Sequence, residues 1–235
     1  MKSLFFKILY TSAMFSLVFC SDNDRIRERP IDIVPTGART EIFQEIMAQF
    51  PEHQDVTTSQ QALFEASTGK QVVLSSESEV YVTFISEGAS YPNTVGWYSY
   101  SEGSEPTQPS DLELHVLFPH VSERVLKQGD RLQVGDGKFS AGTVIGFFLI
   151  ISGWDAGTID YNKQTFYTDL ELNPDNSQQH VLFKQKELGD IVLTFEDELT
   201  SQSSDKDFND IIFTVTDNKE NKVATKFNLT SVIEL

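Results

Sequence analysis

Apolar residues recur along most of this chain with the short period of β-strands. From Gln71 onward, runs rich in Val, Ile, Phe and Tyr are separated by turn residues. The runs predict strands over Gln71–Leu74, Val80–Ile85, Val95–Tyr100, Glu113–Phe118, Arg131–Val134, Thr143–Ile151, His180–Lys184, Asp190–Phe195, Ile211–Thr216 and Lys222–Val232. Punctuation falls at Gly103 to Pro109, Gly129-Asp130, Gly135 to Gly137, Asn173 to Asp175 and Asp217-Asn218. Many short strands at such spacing predict an all-β fold, a β-sandwich or jelly-roll-like domain. Thr143–Ile151 is apolar throughout but too short to span a membrane, so it reads as a central strand buried on both faces.

The period changes before residue 70. Ile42, Phe43, Ile46 and Phe50 fall on one helical face, with Thr40 as the expected N-cap and Pro51 as the stop. A second short helix is expected over Ser59–Ala66. Both read as packing elements that form a helical N-terminal extension, residues 38–70, ahead of the β-domain at 71–235. Residues 21–37 are charged, carry Pro30, Pro35 and Gly37, and read as a tether.

Residues 1–20 have the form of a secretory signal peptide. Lys2 and Lys7 precede an apolar run from Ile8 to Phe19, and Cys20 and polar residues follow. The placement of Cys20, with Leu17 and Val18 before it, predicts a lipidated first residue of an outer-membrane or cell-surface lipoprotein. Phe19 is larger than the residue usual before such a cysteine. Ordinary cleavage after Cys20, giving a secreted or periplasmic protein, is the alternative. Cys20 is the only cysteine, so no intramolecular disulfide forms.

The chemistry concentrates between the runs Ile191–Phe195 and Ile211–Thr216. Glu196, Asp197, Glu198, Asp205, Asp207 and Asp210 share this loop with Asn209. Pairing of the flanking strands draws these groups together, where they repel. A solvated acidic loop is one reading. Interleaving with Phe208 between two buried strands favours the other, in which a hard cation removes the repulsion, and oxygen donors in this number suit calcium. The expected ligands are Glu196, Asp197, Asp205, Asp207, Asn209 and Asp210, with Asp169 as a further one. Asp205-x-Asp207-x-Asn209 matches the opening of an EF-hand loop, but the turn glycine is missing and Thr216 stands where the closing glutamate belongs.

The formal charge of -17 argues against nucleic-acid binding. The four histidines form no zinc-protease motif, and the serines at 201, 203 and 204 lack a nucleophile-elbow frame. A carboxylate pair among Glu196, Asp197 and Asp205 is the one arrangement that would serve glycoside hydrolysis. Trp97, Tyr98, Tyr100, Trp154, Tyr161 and Tyr167 are candidates for glycan or peptide recognition, with Trp154 in a Gly-flanked loop as the first choice. Alternation puts Trp97 and Tyr98 on opposite faces. Glu87 and Asn93 flank a turn; turn chemistry explains them, and a ligand contact is the alternative.

Several phrases together are similar to one bacterial family. They are Tyr81-Val-Thr-Phe-Ile-Ser-Glu87, Asn93 to Tyr98, Gly142 to Ile150, Phe166 to Asn173, Gln179-His180, Phe195 to Asp197 and Ser204 to Phe213. The chain resembles, over roughly residues 75–218, the domain of unknown function numbered 4114, the LruC-type domain. The resemblance implies a β-rich, calcium-dependent module of exported bacterial lipoproteins and surface proteins, in some cases adhesive, with no settled enzymatic activity. The expected function is binding of an extracellular peptide, protein or glycan. Membrane contact would come only through Cys20. A structural envelope lipoprotein and a carbohydrate hydrolase are the other readings.

Overall fold

The computed structural model describes residues 25–36, 39–202, 204–230 and 232–235. The expected signal peptide, Cys20, Gly37 and Ser203 lie outside the described residues. The described residues form thirteen strands: β1 Val34–Pro35, β2 Val72–Val73, β3 Ser78–Ser86, β4 Asn93–Ser101, β5 His115–Val121, β6 Asp130–Phe139, β7 Thr143–Ile150, β8 Trp154–Asp155, β9 Thr158–Ile159, β10 Thr165–Tyr167, β11 His180–Lys184, β12 Ile191–Phe195 and β13 Ile211–Thr216. The helices are α1 Thr40–Met47, α2 Val56–Ser59 and α3 Gln61–Ser67. The fold is thus mostly β, with short helices near the N-terminus.

Two antiparallel sheets carry the structure. One has six strands in the order β1-β6-β3-β13-β12-β11; the other runs β10-β7-β4-β5, with β2 also paired to β7. Alternation decides which side chains meet between them. Val82 and Phe84 of β3, Leu193 and Phe195 of β12 and Phe213 of β13 share one core with Val95 and Trp97 of β4 and Phe147 and Leu149 of β7. The Phe147 and Phe213 rings meet edge to face with centroids 5.2 Å apart. Val192 of β12 and Ile212 of β13 point the other way, where Phe43, Ile46, Phe50, Val56 and Leu63 cover them. The helical stripe is therefore core, as its spacing predicts.

β7 is buried on both faces. Tyr98 lies opposite Gly146, and a Cβ on that glycine would come within 2.2 Å of the ring. The glycine lets the tyrosine lie flat across the sheet and reach Asp169 beyond it.

Three expectations change. The second helix is two, because Gln60 leaves helical geometry (φ -132°, ψ 44°), and Asp55 caps the first through the Thr57 N–H. Thr40 is inside α1 rather than its cap; Arg39 holds that position and sends its guanidinium to the buried Asp190 carboxylate. Among the described residues, Lys222–Val232 forms no strand beyond an isolated bridge of Phe227 to Leu74. Its Thr225 and Lys226 N–H groups donate to the Asp217 carboxylate at 2.6 and 2.7 Å, so they are unavailable to a ladder, while Ala224 and Phe227 still reach the core.

The described part of the expected tether lies along the domain. The Ile26 N–H donates to the Gly157 carbonyl at 2.9 Å, Glu28 meets His120 at 2.7 Å, and Arg29 pairs with Asp130.

Replacing Gly146 by alanine drives a methyl group into the Tyr98 ring. The expected loss is about 2 kcal/mol, the range of overpacked cores, or roughly 4–8 °C in melting temperature for a domain of this size. Gly137→Ala, which meets nothing within 4 Å, is the control and leaves the melting temperature nearly unchanged. Calorimetric melting of the two variants checks the difference.

Candidate metal centre

The β12–β13 connection folds back on itself rather than projecting. Phe208 is the anchor: it is fully buried, lies 5.5 Å from the Phe64 ring, and takes a left-handed φ of 55°. Lys206 is left-handed too, at φ 59°. Such backbone is strained for residues other than glycine, and Phe208 burial offsets it. Two left-handed residues turn Asp205, Asp207 and Asp210 back toward Glu196 and Asp197.

The inner part of the site is a set of buried carboxylates. Glu196 is 1 % exposed and accepts the Phe208 N–H at 3.2 Å. Asp197 accepts from Asn93 Nδ2 at 2.7 Å, and its own N–H donates to Asp210 at 2.7 Å. Asn93 is held in turn by the Ser152 N–H at 3.0 Å. It opens β4 fully buried, so its role is to position Asp197. Asp207 accepts the His53 N–H at 2.8 Å and the Asn209 N–H at 3.1 Å.

Desolvation dominates the electrostatics. Burial pushes Glu196 up to about 7 despite the hydrogen bonds from Ser204 and the Phe208 N–H, and Asp205 and Asp207 add to the rise. Burial also raises Asp197 and Asp207. Asp210 is pushed up furthest, by burial and then by the charges of Asp197 and Glu196. Carboxylates without a cation answer this cost by holding protons.

The outer part joins the loop to a segment the sequence does not advertise. Glu52 and His53, between α1 and α2, meet Asp205 and Asp207 so that four ligand atoms lie within 4.8 Å of one another. His53 Nδ1 is 2.8 Å from Asp205 Oδ2, and Asn209 Nδ2 donates to Glu52 at 3.1 Å and to the Phe50 carbonyl at 3.3 Å. Asn209 also needs a bare neighbour: a Cβ on Gly88 would stand 2.5 Å from its Oδ1. This surface cluster can coordinate a metal ion. A nitrogen donor among oxygens suits a borderline metal such as zinc, whereas the inner all-oxygen set suits calcium.

A cleft of about 310 Å³ joins the two parts. Glu52, Glu196, Asp197, Glu198, Asp205 and Asp210 line it, with Gly88 to Tyr91 from the β3–β4 loop on the other wall. Six carboxylates thus face one small space, and among the described residues no Lys or Arg lines it.

Other expected site residues are elsewhere. Asp169 accepts from the Tyr98 and Tyr100 hydroxyls at 2.6 and 2.7 Å and from Gln71 at 3.0 Å, on the far face of the second sheet. It is a buried acceptor for tyrosines and does not line the acidic cleft. Glu87 receives the Glu123 N–H at 3.2 Å. Trp154 is half-buried in the β8–β9 hairpin and stacks on His120 at 6.1 Å.

Residues 139–218 match the family model described as a domain of unknown function (DUF4114). The match takes in β7 to β13 with the whole acidic loop, and leaves β3, β4 and the helices outside it. No curated protein and no solved structure matches the chain.

The raised carboxyl groups give a pH dependence. Glu196 ionises near 4.5 when unfolded and near 7 when folded, so its contribution is present at low pH and lost as pH rises through 7. In chelator, stability is expected to fall between pH 5 and 7.5 by about 1 kcal/mol per pH unit for this group. Glu196→Gln should flatten that slope. Urea melts across the pH range measure it.

Proposed function

We propose that this chain is a calcium-binding recognition module of an exported bacterial protein, acting at the cell surface on a peptide, protein or glycan. The observation that carries the reading is the cleft in which six carboxylates converge and which, among the described residues, no Lys or Arg lines. Calcium there neutralises groups that otherwise hold protons, and fixes the loop in one conformation. The β3–β4 loop borders the same cleft, so an ordered cation shapes the adjacent surface, including the exposed Tyr91. The signal-peptide form of residues 1–20 supports export, and lipidation at Cys20 would hold the module at the surface.

A structural role for the cation is the second reading. It draws on the seam between the loop and the helices: the Val56 N–H donates to the Lys206 carbonyl at 2.9 Å, and His53 and Asn209 bridge the same seam. A metal at Glu52, His53, Asp205 and Asp207 would rivet the helical layer to the sheet.

Calcium at about a hundred times its dissociation constant is expected to add about 2.7 kcal/mol to apparent stability, or roughly 5–10 °C in melting temperature. No shift between calcium and chelator would sink the calcium reading. In calorimetric titration, Asp207→Ala and Asp205→Ala should weaken calcium by tenfold or more, and Glu220→Ala, outside the loop, by less than about twofold, the size of a screened surface effect. Equal losses in all three variants would mean diffuse attraction to an acidic surface. His53→Ala should spare calcium and weaken zinc if the outer cluster takes a borderline metal.

A further inference from the structure

The two sheets leave open edges on one side of the molecule. β6 closes the six-stranded order apart from the two-residue β1, and β5 closes the other. Between these edges lies a groove of about 880 Å³, lined among others by Val34, Trp97, His115, Leu117, Leu132 and Gln133. Its floor is the stacked Trp97–His115 pair, with centroids 4.4 Å apart.

The register shows which backbone groups face the groove. Val34 stands opposite Arg131, and the Thr36 N–H donates to the Gly129 carbonyl at 3.0 Å. Outward-bonding residues recur at every second position of an antiparallel strand. Gln133 is therefore the next residue of β6 to turn its N–H and C=O outward. Residue 32 would be its partner, but the chain bends at residues 31 and 32, and among the described residues no backbone bond joins residues 30–33 to β6. An edge with unpaired backbone groups is a template for another strand.

Apolar and acidic groups frame this edge. Ile31 is 70 % exposed and Val34 60 %, an apolar lip on an otherwise polar surface. Asp32 and Asp136 are exposed on the rim. Arg131 beneath them is buried and engaged, its Nε on Thr83 and its Nη1 on the Lys219 carbonyl. Among the described residues Lys219 is the one other Lys or Arg lining the groove, and the chain as a whole carries -17.

We propose that this groove binds an extended peptide segment of alternating apolar and basic residues, added to β6 as a further strand. Backbone bonds to Gln133 supply the pairing, alternate apolar side chains enter over Trp97 and Leu117, and the basic ones face Asp32 and Asp136. The site lies apart from the acidic cleft and does not depend on calcium there.

The test is fluorescence anisotropy of the purified protein with a labelled octapeptide of alternating Val and Lys. Saturable binding is expected, equal in calcium and in chelator. The same octapeptide, N-methylated at alternate backbone nitrogens, should bind at least tenfold more weakly. Gln133→Pro should lose a similar factor, since proline on an edge strand removes only an outward N–H. The double variant Asp32→Lys, Asp136→Lys should weaken binding several-fold and reduce its salt dependence. Equal binding of the two peptides would show general attraction to an acidic protein and overturn the proposal. So would absence of binding, binding lost in chelator alone, or sedimentation showing a second copy on the β6 edge. The N-methylated peptide tests the pairing on the unaltered protein, whatever the fate of the proline variant.

Discussion

Phe195 pairs with Ile211, and everything between them must leave the sheet and return to it. That closure is the constraint on which the rest of the site depends. The return path is set by Phe208, whose ring must be buried while its neighbours are carboxylates. Burying a phenylalanine contributes about 2–3 kcal/mol. The gain is comparable to the strain of the two left-handed residues, at about 1–2 kcal/mol each. It does not cover the desolvation of Glu196, Asp197, Asp207 and Asp210 together. Protons or a cation must supply the difference, and the fold leaves the choice to the solution.

The helical layer follows from the same closure. Val181, Phe183, Val192 and Ile212 are apolar on the outer face of the sheet and must be covered. α1 and α3 cover them, and the short connection between helices then passes over the acidic loop. Glu52 and His53 arrive there because Phe50 and Val56, on either side, are core residues. The outer metal cluster is thus a consequence of packing. Its nitrogen donor comes from a position that hydrophobic burial selects.

Much of this was legible in the sequence and some was not. β12 and β13 were plain because both are continuous apolar runs, and the acid-rich stretch between them had to be one loop. The convergence of Glu196, Asp197, Asp205 and Asp210 on one cleft followed from that. Glu52 and His53 were not legible, since nothing local marks them and their partners lie some 150 residues away. Asp169 was misplaced because its acidity pointed to the cation, while its actual partners, Tyr98 and Tyr100, become neighbours only through the β4–β7 pairing. Lys222 to Val232 has strand composition, but Asp217 takes two of its N–H groups. A side chain that substitutes for a ladder leaves no periodic trace.

The two clefts answer opposite problems of a two-sheet fold. At the acidic end the Asp197, Phe208 and Asn209 N–H groups are taken by carboxylates, and the excess is charge. At the β5–β6 side acidic groups only rim the groove, and the excess is unpaired backbone. β1 reduces that excess by two residues and then departs, because Arg29 is drawn back to Asp130 and the Val125 carbonyl. The bulge between Ser78 and Val80 pushes Gly135 to Lys138 outward, which limits how far any added strand can run along β6. An edge left open over a short stretch, between a bulge and a bend, selects for one short segment and against open-ended stacking of whole chains.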